Sequence, residues 1–409
     1  MNYYILPKNN LNTDIFLCLN FEQIKPVISY SLIYYLNETY TNLLKLEEQI
    51  ELTNTNTNTN TNTNTNTNTN TNTNTNTNTN TNKISIEYIN KIVNPFEFIH
   101  TNVPGTILSV SKVKPESSLF FDLMEIFQMC YITDFLSNKN KINIANFTPN
   151  FTSSNYLLNM LREENEDTLI NEFFDYDVLC EKYIKNKESI KIDLLIFEFK
   201  DQDYIDINQY IKNVLLTFYI IVKYQSNNGI CIIKLDNIFY KVIIDVILLL
   251  TSIYEKVYLI KPTISKITKG ERYIICSNLN MELVNRTNIF EQLEKKLKDY
   301  LLNNLFNSNQ NIHSFLKNEI PYYFLNKIEE SNAVIGQQQL ESYDQIINIF
   351  KNKNKEEKIE SLKRSHIQKC IQWCEKNQIP HNKFTDKINI FLNTKREEGL
   401  KILEFSSSI

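Results

Sequence analysis

Hydrophobic positions change their spacing several times along this 409-residue chain. Between Phe21 and Leu52 they recur at helical intervals, with Val27, Ile28, Leu32, Tyr35 and Leu36 followed by Leu43, Leu44 and Leu46, which predicts a mainly helical segment in need of a partner surface. From Ser118 to Leu279 the pattern becomes short apolar runs separated by helix-length amphipathic stretches, the arrangement of βαβ units in a parallel sheet. The predicted strands are 119–123, 141–147, 192–199, 229–235, 256–260 and 272–278, and the predicted helices 124–136, 153–165, 204–224 and 238–253. Only KPTISKITKG separates the last two strands, too little for a crossover helix, so these two form an antiparallel hairpin. Beyond Met281 the helical spacing returns, at 289–306, 339–350 and 355–376.

Residues 53–82 are an unbroken Thr-Asn alternation. It offers no apolar face to set against its chain entropy, so a disordered insert is expected. A short helix is predicted over 84–98, ending near Pro95. The expected organisation is therefore an N-terminal helical segment (1–52), the repeat (53–82), a connecting helix and loop (83–117), an α/β domain (118–280) and a C-terminal helical region (281–409).

Composition narrows the chemistry. At an average usage near 7% a chain of this length would carry about 29 glycines; it has five, Gly105, Gly229, Gly270, Gly336 and Gly399. No two are close enough for GxG, which excludes a P-loop, a glycine-rich dinucleotide fingerprint and a kinase-type phosphate lid. The formal charge of −4 speaks against coating nucleic acid through bulk electrostatics, so any RNA contact has to be a local patch. The seven cysteines form no CxxC and sit mostly in apolar runs, as buried thiols of a reducing compartment do. The N-terminus has no cationic leader, and the most apolar stretch, 242–250, is far shorter than the ~20 residues of a membrane span. An intracellular protein without membrane contact is expected. His366, Cys370 and Cys374 recur at one-turn intervals, but ligands eight residues apart lie ~12 Å apart along a helix axis. They are read as a helix face buried with Trp373, and no metal is expected.

One stretch carries a specific pattern. From Asn228 the chain reads NGICIIKLDNIFYKVIIDVILLLTSIYEKVYLIKPTISKITKGERYIICSNL: a glycine before a strand ending in Lys, a helix, a strand running into Lys-Pro-x-x-Ser-Lys, and Glu-x-Tyr opening the final strand. The positions are Gly229, Lys234, Lys261, Pro262, Ser265, Lys266, Glu271 and Tyr273. This resembles the C-terminal half of the FtsJ-like RNA 2′-O-methyltransferases, particularly the branch carried by large DNA viruses, over about fifty residues by motif and about 160 by element order. The resemblance implies a Rossmann-like class I methyltransferase fold, a mostly parallel sheet with a terminal antiparallel hairpin, flanked here by helical regions.

It also implies a Lys-Asp-Lys-Glu active site, in which Lys234 is the central lysine and Glu271 the closing glutamate. Such a lysine helps remove the ribose proton when a second cation and desolvation depress its pKa. Glu198, with Asp201 and Asp203 nearby, stands where the family has aspartate, and Lys91, with Lys112 behind it, is the candidate for the first lysine. The methyl donor implied is S-adenosyl-L-methionine (SAM). Taking 119–123 as the first strand puts Asp122 and Leu123 at the cofactor edge, with none of the Pro-Gly-Gly that follows in the family, so SAM affinity is expected to be reduced or lost. Lys261, Ser265, Lys266, Lys269, Arg272 and Tyr273 cluster at the hairpin as an RNA groove would. The expected function is cap-specific 2′-O-methylation of viral mRNA. The alternative is a catalytically inactive RNA-binding or scaffold subunit of a viral mRNA-processing complex, docking a protein partner through its C-terminal helices. Either acts on the capped 5′ end of RNA, in the host cytoplasm, viral factory or virion, and is not secreted.

Overall fold

IDLLIF and GICIIKL are apolar at nearly every position, so strands built from them must be covered on both faces. The computed structural model describes residues 2–9, 14–57, 86–162, 166–185, 190–200, 205–303, 310–351 and 356–384. In chain order the elements are β1 (Asn2–Ile5), β2 (Ile15–Asn20), α1 (Tyr30–Thr57), α2 (Ile86–Val93), a 3-10 turn (Glu97–Ile99), α3 (Leu119–Met129), α4 (Ile132–Ser137), β3 (Asn143–Phe147), α5 (Phe151–Arg162) and β4 (Thr168–Glu172). Then come α6 (Tyr176–Leu179) with a π turn (Cys180–Ile184), β5 (Ile192–Phe197), α7 (Ile207–Tyr224), β6 (Gln225–Leu235), α8 (Lys241–Ile253), β7 (Tyr254–Lys261) and β8 (Arg272–Leu279). The chain continues through α9 (Met281–Arg286), α10 (Ile289–Lys296), α11 (Lys298–Asn303), β9 (Asn311–Leu316), α12 (Tyr322–Lys351) and α13 (Glu356–Lys376).

Seven strands form one sheet in the order β1-β7-β8-β6-β5-β3-β4. β4, β3, β5 and β6 run parallel, and β8 enters antiparallel between β6 and β7. Side chains alternate between the two faces as a strand requires. Leu195, Phe197, Cys231 and Ile233 pack with α7 and α8, whereas Leu194, Ile196, Ile230 and Ile232 pack with α3, α5 and α13. A mostly parallel sheet with an antiparallel strand between its last two parallel ones, and helices on both faces, is the Rossmann-like methyltransferase fold. No helix among the described residues is long and apolar enough to cross a membrane.

Three expectations are corrected. Residues 119–123 are not a strand but the start of α3, whose Leu119, Phe120, Phe121, Leu123, Met124, Ile126 and Phe127 are all buried. A short apolar run cannot be told from a buried helix by periodicity, and here the apolar stretch extends to helix length. The first parallel strand is therefore β3. Its neighbour β4 went unpredicted because it is an edge strand whose side chains are exposed or half-buried, with no buried alternation to reveal it. The N-terminal and C-terminal regions, expected to be helical, also contribute β1 at the edge of the sheet and a separate β2–β9 pair. Helix α1 runs into the first residues of the Thr-Asn repeat; residues 58–82 of the repeat lie outside the described residues.

The C-terminal helices belong to the same two apolar clusters as the sheet. Phe324 and Ile328 of α12 join one, and Tyr343, Ile346 and Phe350 of the same helix join the other. Alongside α12 runs α1, in the same direction, with Ser29 by Asn332, Leu32 on Gly336 and Tyr40 against Tyr343. A Cβ on Gly336 would stand 2.5 Å from both Leu32 methyl carbons. Gly336→Ala should therefore lower the melting temperature, the overpacking cost of about 1–3 kcal/mol outweighing the ~1 kcal/mol gain in helix propensity. In a Leu32→Ala background the same change should raise it, and thermal denaturation of the four proteins checks the reversal of sign.

Candidate functional site

Charged side chains collect where the parallel strands end. Lys234 is the last residue but one of β6, Glu198 follows β5 directly, and Glu271 precedes β8. The Lys234 ammonium lies 2.9 Å from Oε1 of Glu198 and 3.1 Å from Oε2 of Glu271, with its Nζ 5.9 Å from the Tyr273 ring centre. Tyr273 is paired with Lys234 across the ladder, and its hydroxyl donates to Oδ2 of Asp122 at 2.8 Å. Ser265 Oγ donates to the other oxygen of Asp122 at 2.9 Å. Thr148 Oγ1 and Asn150 Nδ2 donate to Oε2 of Glu198 at 2.6 and 3.0 Å.

The sequence reading named Lys234, Glu271 and Glu198, and the fold brings them together. It named Asp122 as well, but for a different place: α3 carries it to Ser265 and Tyr273, not to the carboxyl end of a strand. Leu123 is wholly buried in the core, so it offers nothing to a cofactor. Lys91 pairs with Glu87 one turn earlier on α2 at 2.9 Å, its side chain 40% exposed. The groups that act most strongly on Lys234 are Glu271, Tyr273, Glu198 and Asp122. Asp201 and Asp203 lie outside the described residues.

These surroundings set the protonation states. Burial disfavours the Lys234 ammonium, but Glu271, Tyr273, Glu198 and Asp122 outweigh it and hold the pKa well above the ordinary lysine value. Burial likewise opposes ionisation of Glu271, yet Lys234, Lys261 and Lys269 draw its carboxyl down to about 2. Asp122 goes the other way. Burial pushes its carboxyl up to about 7, against the pull of Lys234 and with Glu271 adding to the rise. Lys234 is therefore a permanent cation, whereas Asp122 and Lys261, whose ammonium burial brings down to about 8, titrate nearer neutrality.

The expected RNA groove is largely spent inside the molecule. Lys261 is buried and donates to the backbone carbonyls of Lys269 and Glu271 at 2.7 and 3.0 Å. Arg272 is 2% exposed; its Nε donates to Gly270 O at 3.0 Å and an Nη to Oδ1 of Asn332 on α12 at 2.7 Å. Ser265 and Tyr273 are held by Asp122, as above. Only Lys266 and Lys269 of the predicted set reach solvent, Lys266 with Glu97 4.0 Å away. The loop between β7 and β8 is tied down elsewhere too. Glu125 of α3 accepts from Thr263 N and Oγ1, Asn94 accepts from Ile267 N, and Tyr343 and Gln339 of α12 donate to Thr268 O. Glu125, Asn332, Thr148 and Asn150 escaped the sequence reading because none carries a motif; only the fold makes them neighbours. His366, Cys370 and Cys374 are buried on α13, and among the described residues no group of three or more His, Cys, Asp or Glu is placed to hold a metal ion.

With the first parallel strand at β3, a methyl-donor cofactor would have to meet the turn after it, Phe147-Thr148-Pro149-Asn150-Phe151. That turn holds a proline, Pro149, and no glycine. Bare backbone is what lets a chain approach such a ligand closely. Here the Asn150 side chain is turned inward onto Glu198. The residues present do not fit SAM.

No family model matches this chain, and no curated protein does. Among the solved structures similar in part are the following two. A putative ribosomal RNA methyltransferase from Plasmodium falciparum shares 14% identity over 40% of this chain and 97% of its own, with a TM-score of 0.29. A probable spermidine synthase from Corynebacterium glutamicum shares 11% over 53% and 89%, with a TM-score of 0.28.

Two measurements follow from the site. Because the folded Asp122 carboxyl binds its proton up to about pH 7 and an unfolded one only to about 3.9, the native state holds the extra proton between these values. Stability contributed by Asp122 is thus complete below about pH 4 and lost as pH rises toward 7. Asp122→Asn should flatten the fall of unfolding free energy over that range by up to about 1.4 kcal/mol per pH unit, read from denaturant titrations. Arg272→Ala should destabilise by about 3 kcal/mol or more, since it strands Oδ1 of the buried Asn332 and removes the cation that holds down the nearby Asp236 carboxyl; an arginine reserved for RNA would leave the melting temperature unchanged.

Proposed function

We propose that this chain is a methyltransferase-fold protein that does not transfer methyl groups and serves as a scaffold subunit in mRNA processing by a large DNA virus. The viral and mRNA parts of this reading rest on the motif resemblance around Lys234 and Glu271. The loss of catalysis rests on one observation, the charge count around Lys234. A lysine that assists deprotonation of a ribose hydroxyl needs a second cation to lower its pKa. Lys234 instead faces Glu198, Glu271 and Asp122, and it stays protonated. RNA contact is restricted to what Lys266 and Lys269 offer. A protein partner would meet the outward sides of α12 and α13, whose inward sides are spent on the core.

A second reading, an active cap 2′-O-methyltransferase, is favoured by the position of Lys234 at a strand end between two glutamates. Incubation of the full chain with capped RNA and labelled SAM separates the two. The expected result is no transfer above that of Lys234→Ala; transfer that Lys234→Ala abolishes would overturn the scaffold reading. In the same preparations, affinity for single-stranded RNA should fall with salt at a logarithmic slope of about −1.4, that of two phosphate contacts. It should vanish in Lys266→Glu/Lys269→Glu. A slope several times steeper would mean that a wider basic groove exists.

A further inference from the structure

In open α/β sheets ligands enter at the carboxyl ends of two neighbouring parallel strands whose connections leave on opposite faces. Here those strands are β3 and β5. They pair from Ile144↔Leu194 to Phe147↔Phe197; α5 then packs Leu157 and Leu158 on one face, while α7 packs Val214 to Tyr224 on the other. The crevice between their ends is therefore the place where this fold would hold a nucleotide-like ligand.

Among the described residues at its mouth, Thr148, Asn150 and Glu198 are already bonded to one another or to their neighbours. Glu198 N donates to Phe147 O at 2.9 Å, carrying the ladder one step past the strands. One carboxylate oxygen of Glu198 takes Thr148 Oγ1 and Asn150 Nδ2, and the other takes Lys234. Thr148 Oγ1 accepts in turn from Asn150 N at 2.9 Å, and Thr148 N donates to Glu172 O at 3.1 Å, tying the turn to β4. Thr148 is wholly buried and Glu198 is 5% exposed. Two aromatic contacts close the rim: Phe151 meets Phe173 edge-on at 5.3 Å, and Phe174 meets Phe199 at 4.6 Å.

We infer that the switch-point crevice is latched from within by Thr148 and Asn150 on Glu198, so that the chain binds neither SAM nor its product S-adenosylhomocysteine. This deepens the scaffold reading and rests on it. Glu198 is then a structural tie among β3, β5 and β6. It receives the hydrogen bonds that, in a ligand-binding crevice, would be left free for the ligand.

The test joins a titration with an exchange measurement. Calorimetry of the full chain with S-adenosylhomocysteine should give no binding heat up to millimolar ligand. Hydrogen exchange in peptides covering 147–151 and 196–199 should be slow in the wild type and in Thr148→Ser. In Thr148→Gly/Asn150→Gly it should speed up by about tenfold or more. Should the double variant fail to fold, the near-isosteric Thr148→Val, which removes both the bond to Glu198 and the one accepted from Asn150 N, should show the same direction of change. Micromolar binding by the wild type, or exchange unchanged in the folded variants, overturns the latch. Binding without methyl transfer would refute the latch and leave the scaffold reading standing, whereas methyl transfer would refute both.

Discussion

Lys234 stands one residue before the end of the central strand of the sheet with its ammonium withdrawn from water, and most of the site exists to make that tolerable. An uncompensated buried ammonium costs several kcal/mol, more than a marginally stable fold can leave unanswered. The compensation comes from separate parts of the chain: Glu198 after β5, Glu271 before β8, and Asp122 from α3 through Tyr273. Each carboxylate is fixed by its own partners, Glu198 by Thr148 and Asn150, Asp122 by Ser265 and Tyr273. One buried charge thus dictates the placement of two strand ends, a hairpin loop and a helix.

The same geometry can hold a base or neutralise one, and the difference is the number of charges, not the position of the lysine. A second cation acting on a buried lysine brings it toward release of its proton; Lys261 and Lys269 act here on Glu271, while the groups acting most strongly on Lys234 are the acids Glu271, Tyr273, Glu198 and Asp122, so it keeps its proton. Asp122 escapes full ionisation only because burial lifts its carboxyl toward neutrality. The local excess of negative charge is thereby smaller than the residue count suggests, which is what makes an acid tolerable beside two glutamates.

How much of this could be read from the sequence follows the range of the interactions. The strands from β5 to β8, the β7–β8 hairpin and the meeting of Lys234 with Glu198 and Glu271 were legible, because long apolar runs and a fixed motif spacing encode them locally. The assignment of 119–123 failed because a helix buried all round has no polar face to reveal its period. That single error displaced Asp122 and Leu123 to an imagined cofactor edge and hid the turn that matters, Thr148-Pro149-Asn150. The fate of Arg272 was illegible for another reason. Its partner, Asn332, lies sixty residues away in sequence, and nothing in either local pattern announces the pairing.

That pairing shows where the substrate face of the fold has gone. Arg272 and the loop around Thr268 are held by α12, and Asn332 of the same helix also reaches Ser29 and Ile238 O at the entry to α1 and α8. Helix α12 further crosses from one apolar cluster to the other around the edge of the sheet, so it cannot swing away from the loop without uncovering both. A removable cover would be attached by polar contacts at its rim and would have a dry core of its own. α12 has the opposite construction, with its apolar side chains in the shared core and its polar ones on the loop. The hairpin that resembles an RNA groove in sequence is, in this chain, part of the packing that joins the terminal segments to the sheet.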